Sequence, residues 1–394
     1  MNFFEGLSFF LVLFAGLIPA FILGVKEKPI KQYALGFSIF FLYLICRNSM
    51  SGFLYLIAFY VIEWYVIRIY LFLRKKYGKN SSLYVQFVIL AMLPLILCKV
   101  SSLVQLNLFA FIGVSYVSFK VIQIVIETYD GLIEEMSFFE YSSFILFFPS
   151  ISSGPIDRSR RYLSDLHNIP AKSEYLRMAG EGIFKLTLGI LYKFALGGIA
   201  FTLMNRVSNI YAPLEVIAYA YLYGIYMFFD FAGYSNMAIG ASYILGIKTP
   251  ENFNKPFLSI DIKDFWNRWH MTLSYWFRDF VFSRFMLDSV RKKRFSSKLN
   301  LAFSAYMVNM SIMGFWHGIT PSYILYGLYH GLLLGGFEFY QKKSKFYKNN
   351  KNKKWYKLLS WFVTLNLIMF GFLIFSGHFM EIVHRLVRLL LLHI

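Results

Sequence analysis

Long apolar runs, separated by short polar breaks rich in lysine and arginine, set the pattern of this chain. A hydrocarbon core about 30 Å thick takes roughly 20 apolar helical residues to cross. On that measure eleven runs read as membrane helices: 6–23, 33–46, 53–72, 83–97, 103–126, 183–204, 211–245, 301–316, 323–339, 358–375 and 379–392. The breaks sort by charge. Lys26, Lys28 and Lys31 follow the first run, Arg74, Lys75, Lys76 and Lys79 the third, and Lys248 and Lys255 the seventh. Arg291, Lys292, Lys293, Arg294 and Lys298 precede the eighth, and a lysine-rich stretch, 342–357, follows the ninth. Cytosolic loops carry the excess of Lys and Arg, so this alternation predicts an amino terminus outside and a carboxyl terminus in the cytosol. The stretch 127–161 then lies in the cytosol or half-inserts, because its apolar part, 138–148, is too short to cross. The run 211–245 is long enough to hide a break at Gly233. The first run lacks a basic leader and a small-residue cleavage site, so it reads as a retained helix. No repeat or separate soluble domain is visible, and 342–357 reads as a low-complexity solvated loop near lipid. The expected fold is all-α and polytopic, one integral membrane domain over 1–394.

One segment departs from this pattern. At 100° per residue, Trp266, Trp269, Leu273, Trp276, Phe277 and Phe280 form a stripe, while Asn267, Arg268, Arg278 and Asp279 lie off it. That spacing predicts an amphipathic helix over 264–285, lying in the interface or inserting obliquely, with its aromatics at headgroup depth.

Composition narrows the class. The chain is 58% hydrophobic and 21% aromatic, too apolar for an ordinary soluble protein. Its net charge of +19 would suit nucleic acid, but the basic residues sit in short loops between apolar runs. They suit an anionic lipid surface instead, so no nucleic-acid partner is expected. Cys46 and Cys98 lie in apolar stretches and read as small buried hydrophobes, not a disulfide or a metal pair. Metal-ligand clusters, paired carboxylates and phosphate loops are absent from the sequence, so no metal is expected.

The chemistry rests on histidines at membrane depth, where an ionisable side chain is costly to keep and therefore a functional candidate. His317 ends the apolar run 301–315. Gly318 follows, leaving room for a close approach, and Thr320-Pro321 then breaks the helix. His270 sits at the edge of the aromatic stripe with Asn267 and Ser274 on its side at i−3 and i+4. It either satisfies a backbone carbonyl between helices or faces a polar cavity, oriented by a neighbour. His330-Gly331 lies in the next run and reads as packing or as a third functional group. His167, His378, His384 and His393 fall in loops or near interfaces and read as structural.

These residues also carry a resemblance. Phe265-Trp266-Asn267-Arg268-Trp269-His270-Met271-Thr272-Leu273-Ser274 is followed, 47 residues after His270, by Phe315-Trp316-His317-Gly318. With Asp230-Phe231-Ala232-Gly233-Tyr234-Ser235, Pro250-Glu251-Asn252-Phe253-Asn254 and Gly154-Pro155-Ile156-Asp157-Arg158, this closely resembles the membrane-bound O-acyltransferase family. It looks most like the branch that D-alanylates teichoic acid in Gram-positive bacteria. The likeness runs over about 113–337, the expected catalytic core; the ends match only in hydropathy.

The resemblance implies a ring of helices around a funnel or tunnel in the plasma membrane. His317 would be the intramembrane histidine and His270 the second polar group. Trp266, Trp269, Trp316, Asn267, Ser274 and His330 would line the tunnel or orient its contents. No cofactor would be bound. The donor would be D-alanine held as a thioester on the phosphopantetheine arm of a small cytosolic carrier protein. The acyl group would end on lipoteichoic acid, helped by a small membrane peptide and an extracytoplasmic partner. Arg158, Arg160 and Arg161 lie where cytosolic groups could meet an acidic carrier or anchor to anionic lipid.

The residue types fit that chemistry. A hydroxyl is a poor nucleophile until a base takes its proton, and imidazole, with a pKa of about 6.5, suits the task near neutrality. His317 is expected as general base, with His270 orienting the acceptor or stabilising the oxyanion; sequence alone does not fix which does which. Two other functions use the same residues. An exopolysaccharide O-acetyltransferase would differ in donor and acceptor. A proton-coupled transporter would show inverted repeats or paired broken helices, and the sequence has neither.

Overall fold

The computed structural model describes residues 4–47, 49–207 and 212–392; Tyr211, the expected start of the seventh run, and His393 lie outside them. Among the described residues every regular element is helical. Six helices among the described residues are long and apolar enough to cross a membrane: Leu7–Val25, Met50–Tyr77, Ser81–Leu103, Lys172–Met204, Pro213–Ile244 and Lys354–Phe375; Lys31–Cys46 is a shorter apolar one. The chain folds as two compact units, Met1–Leu191 with Gly233–Glu251, and Tyr192–Ala232 with Asn252–Ile394.

The first unit opens with α1 (Leu7–Val25), α2 (Lys31–Cys46), α3 (Met50–Tyr77) and α4 (Ser81–Leu103). The expected crossing 103–126 is not one helix. Instead α4 runs on to Leu103, the chain turns, and α5 covers Val114–Asp130. The turn was masked by apolar neighbours but is made at polar residues, Gln105 (φ 61°) and Asn107 (φ 50°), in the left-handed region that Asn tolerates better than most. Gly113 (φ 88°) starts α5, and a Cβ there would lie 2.1 Å from the Ile151 carbonyl oxygen.

Almost every side of α5 is buried, although it carries Lys120, Gln123 and Glu127. Their partners explain how. Lys120 Nζ donates to the Phe144 carbonyl (2.8 Å) and to Ser150 Oγ (3.0 Å), Arg158 donates to Gln123 at 3.5 Å, and Ser159 donates to Glu127. Down the length of α5 the neighbours are thus 151, then 144 and 150, then 158 and 159. The chain from α6 (Phe138–Ile145) to α7 (Ser159–His167) therefore runs up beside α5, turns and comes back. Its irregular backbone is thereby held inside protein, where polar groups find partners.

α8 (Lys172–Ile190) passes through a π-helical turn, Leu191–Gly197, into α9 (Gly198–Met204). α10 (Pro213–Ile244) is continuous through Gly233, with no break. That glycine serves packing: a Cβ on Gly189 would lie 2.6 Å from the Gly233 carbonyl oxygen, so the helices touch backbone to backbone.

In the second unit, the segment expected as one helix over 264–285 is broken. It comprises α11 (Ile262–Trp266), α12 (Met271–Phe277), a π-helical turn, Arg278–Phe282, and α13 (Ser283–Arg291). The break falls at His270, left-handed at φ 43°. The backbone groups it frees are taken by 252–254: Met271 donates to the Asn252 carbonyl (2.8 Å) and Asn254 to that of Arg268 (2.9 Å). Trp266, Trp269, Leu273, Trp276 and Phe277 are buried within protein. A helical wheel assumes unbroken 100° steps, and a break between Trp266 and Met271 re-phases it.

α14 (Lys298–His317) and α15 (Pro321–Lys343) form a tight hairpin. A Cβ on Gly314 would lie 2.6 Å from the Tyr323 carbonyl oxygen, and one on Gly327 would lie 2.5 Å from that of Met310. α16 (Lys345–Asn350) shortens the expected loop 342–357 before α17 (Lys354–Phe375). The expected last crossing, 379–392, is α18 (His378–Leu392), 15 residues with Glu381, His384, Arg385 and Arg388 along it. At 1.5 Å per residue it is roughly 22 Å long, short of a hydrocarbon core of about 30 Å.

Candidate active site

Every histidine singled out for chemistry lies in the second unit. His270 caps α12 and is 3% exposed, its ring 4.7 Å from that of Phe231. A non-glycine residue held left-handed stores strain of about 1–3 kcal/mol, which surrounding structure must hold in place. Here the 252–254 segment does so, with Thr272 Oγ1 donating to Asn252 Oδ1 at 2.9 Å as a further tie. His317 is the last residue of α14 and half-buried. A chain of ring contacts links the two histidines, 47 residues apart in sequence: His317 meets Tyr326 (6.1 Å), Tyr326 meets His330 (4.5 Å), and His330 meets Trp266 (5.2 Å), four residues before His270.

The surroundings of His317 are aromatic. Ring centroids of Trp316, Phe375, Tyr323 and Tyr326 lie 4.6, 5.0, 6.0 and 6.1 Å from its own. Gly318, expected to admit a ligand or another backbone, instead admits a side chain: the Tyr323 ring comes within 2.5 Å of where a Cβ would stand. Pro321 occupies the first turn of α15, so the expected helix break places His317 at a helix end.

His330 sits one turn beyond Tyr326 on α15, 1% exposed and enclosed by Tyr326 (4.5 Å), Trp266 (5.2 Å) and Tyr329 (5.3 Å). A Cβ on Gly371 would meet His330 Nε2 at 2.7 Å, so the α17 backbone closes over the ring. Its Nδ1 has no hydrogen-bond partner. This is a packed histidine within the aromatic layer behind His317.

The broken segment 262–282 also walls a cavity of about 320 Å³. Trp266, Asn267, Ser274, Tyr275 and Arg278 line one side; Tyr306, Asn309, Met310 and Met313 of α14 line another. Met313 lies four residues before His317, about 6 Å along the helix. Asn267 and Ser274 thus belong to the cavity wall. The Ser274 hydroxyl donates to the Trp269 carbonyl (3.2 Å), since the break at His270 removes the shared helical face. Trp269 itself is core, between Phe265, Phe253 and Phe372 at 5.7, 5.1 and 4.9 Å. Asn309, Tyr326 and Phe375 escaped sequence reading. Asn309 alone left a signal, an amide inside the apolar run 301–315.

The three arginines belong to the first unit. Arg161 is engaged within the chain, to Asp157 (2.6 Å), Asp165 (2.7 Å) and the Lys248 carbonyl (2.6 Å). Arg158 is half-buried beside Gln123, and Arg160 is exposed. Of the remaining histidines, His167 pairs with Glu140 at 2.8 Å and His378 stacks on Tyr219 at 4.1 Å. Among the described residues no group of three His, Cys, Asp or Glu side chains could hold a metal ion.

Helices long and apolar enough to cross a membrane, recurring along the chain, define a multi-pass membrane protein. The chain belongs to the membrane-bound O-acyltransferase family, whose sequence model matches residues 40–380, and it is a membrane-bound acyltransferase. It is 41% identical over 381 residues to the teichoic acid D-alanyltransferase of Bacillus subtilis (strain 168), covering 94% of this chain and 96% of that one. The protein of the same name from Streptococcus thermophilus is 38% identical over 388 residues, covering 94% and 93%. A probable alginate O-acetylase of Pseudomonas aeruginosa is 27% identical over 278 residues, 70% of this chain and 50% of that one.

Proposed function

We propose that this acyltransferase moves D-alanine from a carrier-protein thioester to a hydroxyl acceptor on the path to lipoteichoic acid. The aromatic layer that joins His317 to the segment bearing His270 carries this reading, and the names of the 41% and 38% identical relatives supply the acyl group and its destination. His317 takes the acceptor's proton as its oxygen attacks the thioester carbonyl. His270 orients the acceptor or stabilises the oxyanion of the tetrahedral intermediate. The C–S bond then breaks, the new C–O ester remains, and the imidazolium of His317 returns its proton to the leaving thiolate. The phosphopantetheine arm of the carrier is the donor, and the cavity ending one turn short of His317 is where it reaches the site. Arg160, exposed, and Arg158 are the carrier contacts on the cytosolic face. A small membrane peptide and an extracytoplasmic protein of the same pathway receive or present the acceptor.

Vesicles holding the protein, supplied with D-[14C]alanyl carrier protein or with [14C]acetyl donors, test this directly. D-alanyl label should leave the carrier and acetyl label should stay. The reverse outcome would establish an O-acetyltransferase in its place. Ser274→Trp, which fills the cavity, should cut transfer from the carrier at least about tenfold with the protein still monodisperse; unchanged transfer would remove the cavity from the donor's route.

The same reading fixes orientation. With the amino terminus outside, Lys76, Arg294 and Lys348 face the cytosol. Single cysteines at these positions, in a background lacking Cys46 and Cys98, should resist an impermeant thiol reagent in intact cells. Labelling of any one from outside would redraw the topology at that point.

A further inference from the structure

We propose that the aromatic rings around His317 form the subsite for the amino group of the transferred residue, holding its ammonium by cation–π attraction and so separating aminoacyl from simple acyl donors. This rests on the proposed D-alanyl transfer and adds the basis of its selectivity.

Trp316, Tyr323 and Phe375 are each half-buried, so their rings are only partly covered by protein. Tyr326, 3% exposed, lies beneath and fixes them, its centroid 5.0 Å from Phe375, which is 4.9 Å from Tyr323. Gly318 is what lets Tyr323 fold over the helix end.

The reaction dictates what comes here. An attacking hydroxyl must lie within hydrogen-bond reach of the imidazole, roughly 3 Å. The carbonyl carbon lies about 3–3.5 Å beyond it. In an alanyl donor the ammonium is two bonds from that carbon. That reach is long enough to bring the ammonium against the rings, whose centroids lie 4.6–6.1 Å from that of the imidazole. Aromatic faces attract a cation within about 6 Å of their centroid, more strongly where water is scarce. An acetyl or propionyl donor brings no charge and gains nothing from them.

The test compares carrier protein charged with D-alanine and with propionate, which is alanine's acyl group with hydrogen in place of the amine. Wild type should show kcat/KM on the order of tenfold higher for D-alanyl. Phe375→Leu and Tyr323→Leu should each lower the D-alanyl-to-propionyl ratio of kcat/KM by about that factor. Phe375 replaced by mono-, di- and trifluorophenylalanine keeps the shape, so folding is not in question; D-alanyl transfer should fall stepwise with fluorine number. Parallel loss with both donors, or no dependence on fluorine, overturns the subsite and leaves the rings a purely structural role. A wild type that moves D-alanyl and propionyl groups equally overturns the subsite alone. One that moves neither from the carrier sinks the D-alanyl transfer reading along with it.

Discussion

His317→Ala removes acyl transfer, with kcat/KM falling by about 10²- to 10⁴-fold, while the detergent-extracted protein stays monodisperse and melts close to wild type. The rate loss is what a positioned base contributes. The intact fold follows from where the side chain sits. His317 is half-buried at the last residue of α14, beyond the glycine contacts that close the α14–α15 hairpin. Its ring is one of five in an aromatic group whose Tyr323–Phe375 and Tyr326–Phe375 contacts do not pass through it. Single-turnover transfer of D-alanyl label checks the first half and thermal melting the second. Residual transfer near wild type would reassign the base to His270. Aggregation of the variant would make His317 a structural residue.

The contrast between His317 and His270 shows what could be read in the sequence. The setting of His317 was legible because its signals are local: an apolar run, a histidine, a glycine and a proline break, all between Leu301 and Pro321. The helices on either side end where those residues say they should. His270 was legible as a candidate, but its setting was not. Its neighbours were assigned by helical phase, and the phase is lost at a left-handed residue held by Asn252 and Asn254, which the sequence places 16–18 residues away. The same limit applies to α5. Apolar character from Leu103 to Ile126 hides the turn at Gln105–Asn107, and the polar face of the helix makes sense only beside the re-entrant chain that binds Lys120 and Glu127. Hydropathy reports what a run can do in lipid. It does not report where distant backbone supplies hydrogen bonds that let the run stop.

The largest effect on the fold is expected at Gly314. Gly314→Leu should lower the melting temperature sharply and abolish transfer together. The reason lies in what the new side chain would meet: the Tyr323 carbonyl oxygen at 2.6 Å and Gly327 Cα at 3.1 Å, both backbone. Overpacking commonly costs about 1–3 kcal/mol when side chains can give way; two helix backbones cannot, so α14 and α15 must separate. In a bilayer nothing replaces that contact, because lipid offers helices no hydrophobic reason to associate and close small-residue packing supplies the attraction. Separation would carry His317, one turn away, off Tyr323, Tyr326 and the cavity edge at Met313. Gly336→Leu on the same hairpin is the control, since a Cβ there meets nothing within 4 Å. It should melt and transfer like wild type. If Gly314→Leu behaved like Gly336→Leu, the hairpin would not be what holds His317 in place, and the aromatic rings of α15 and α17 would have to position it unaided.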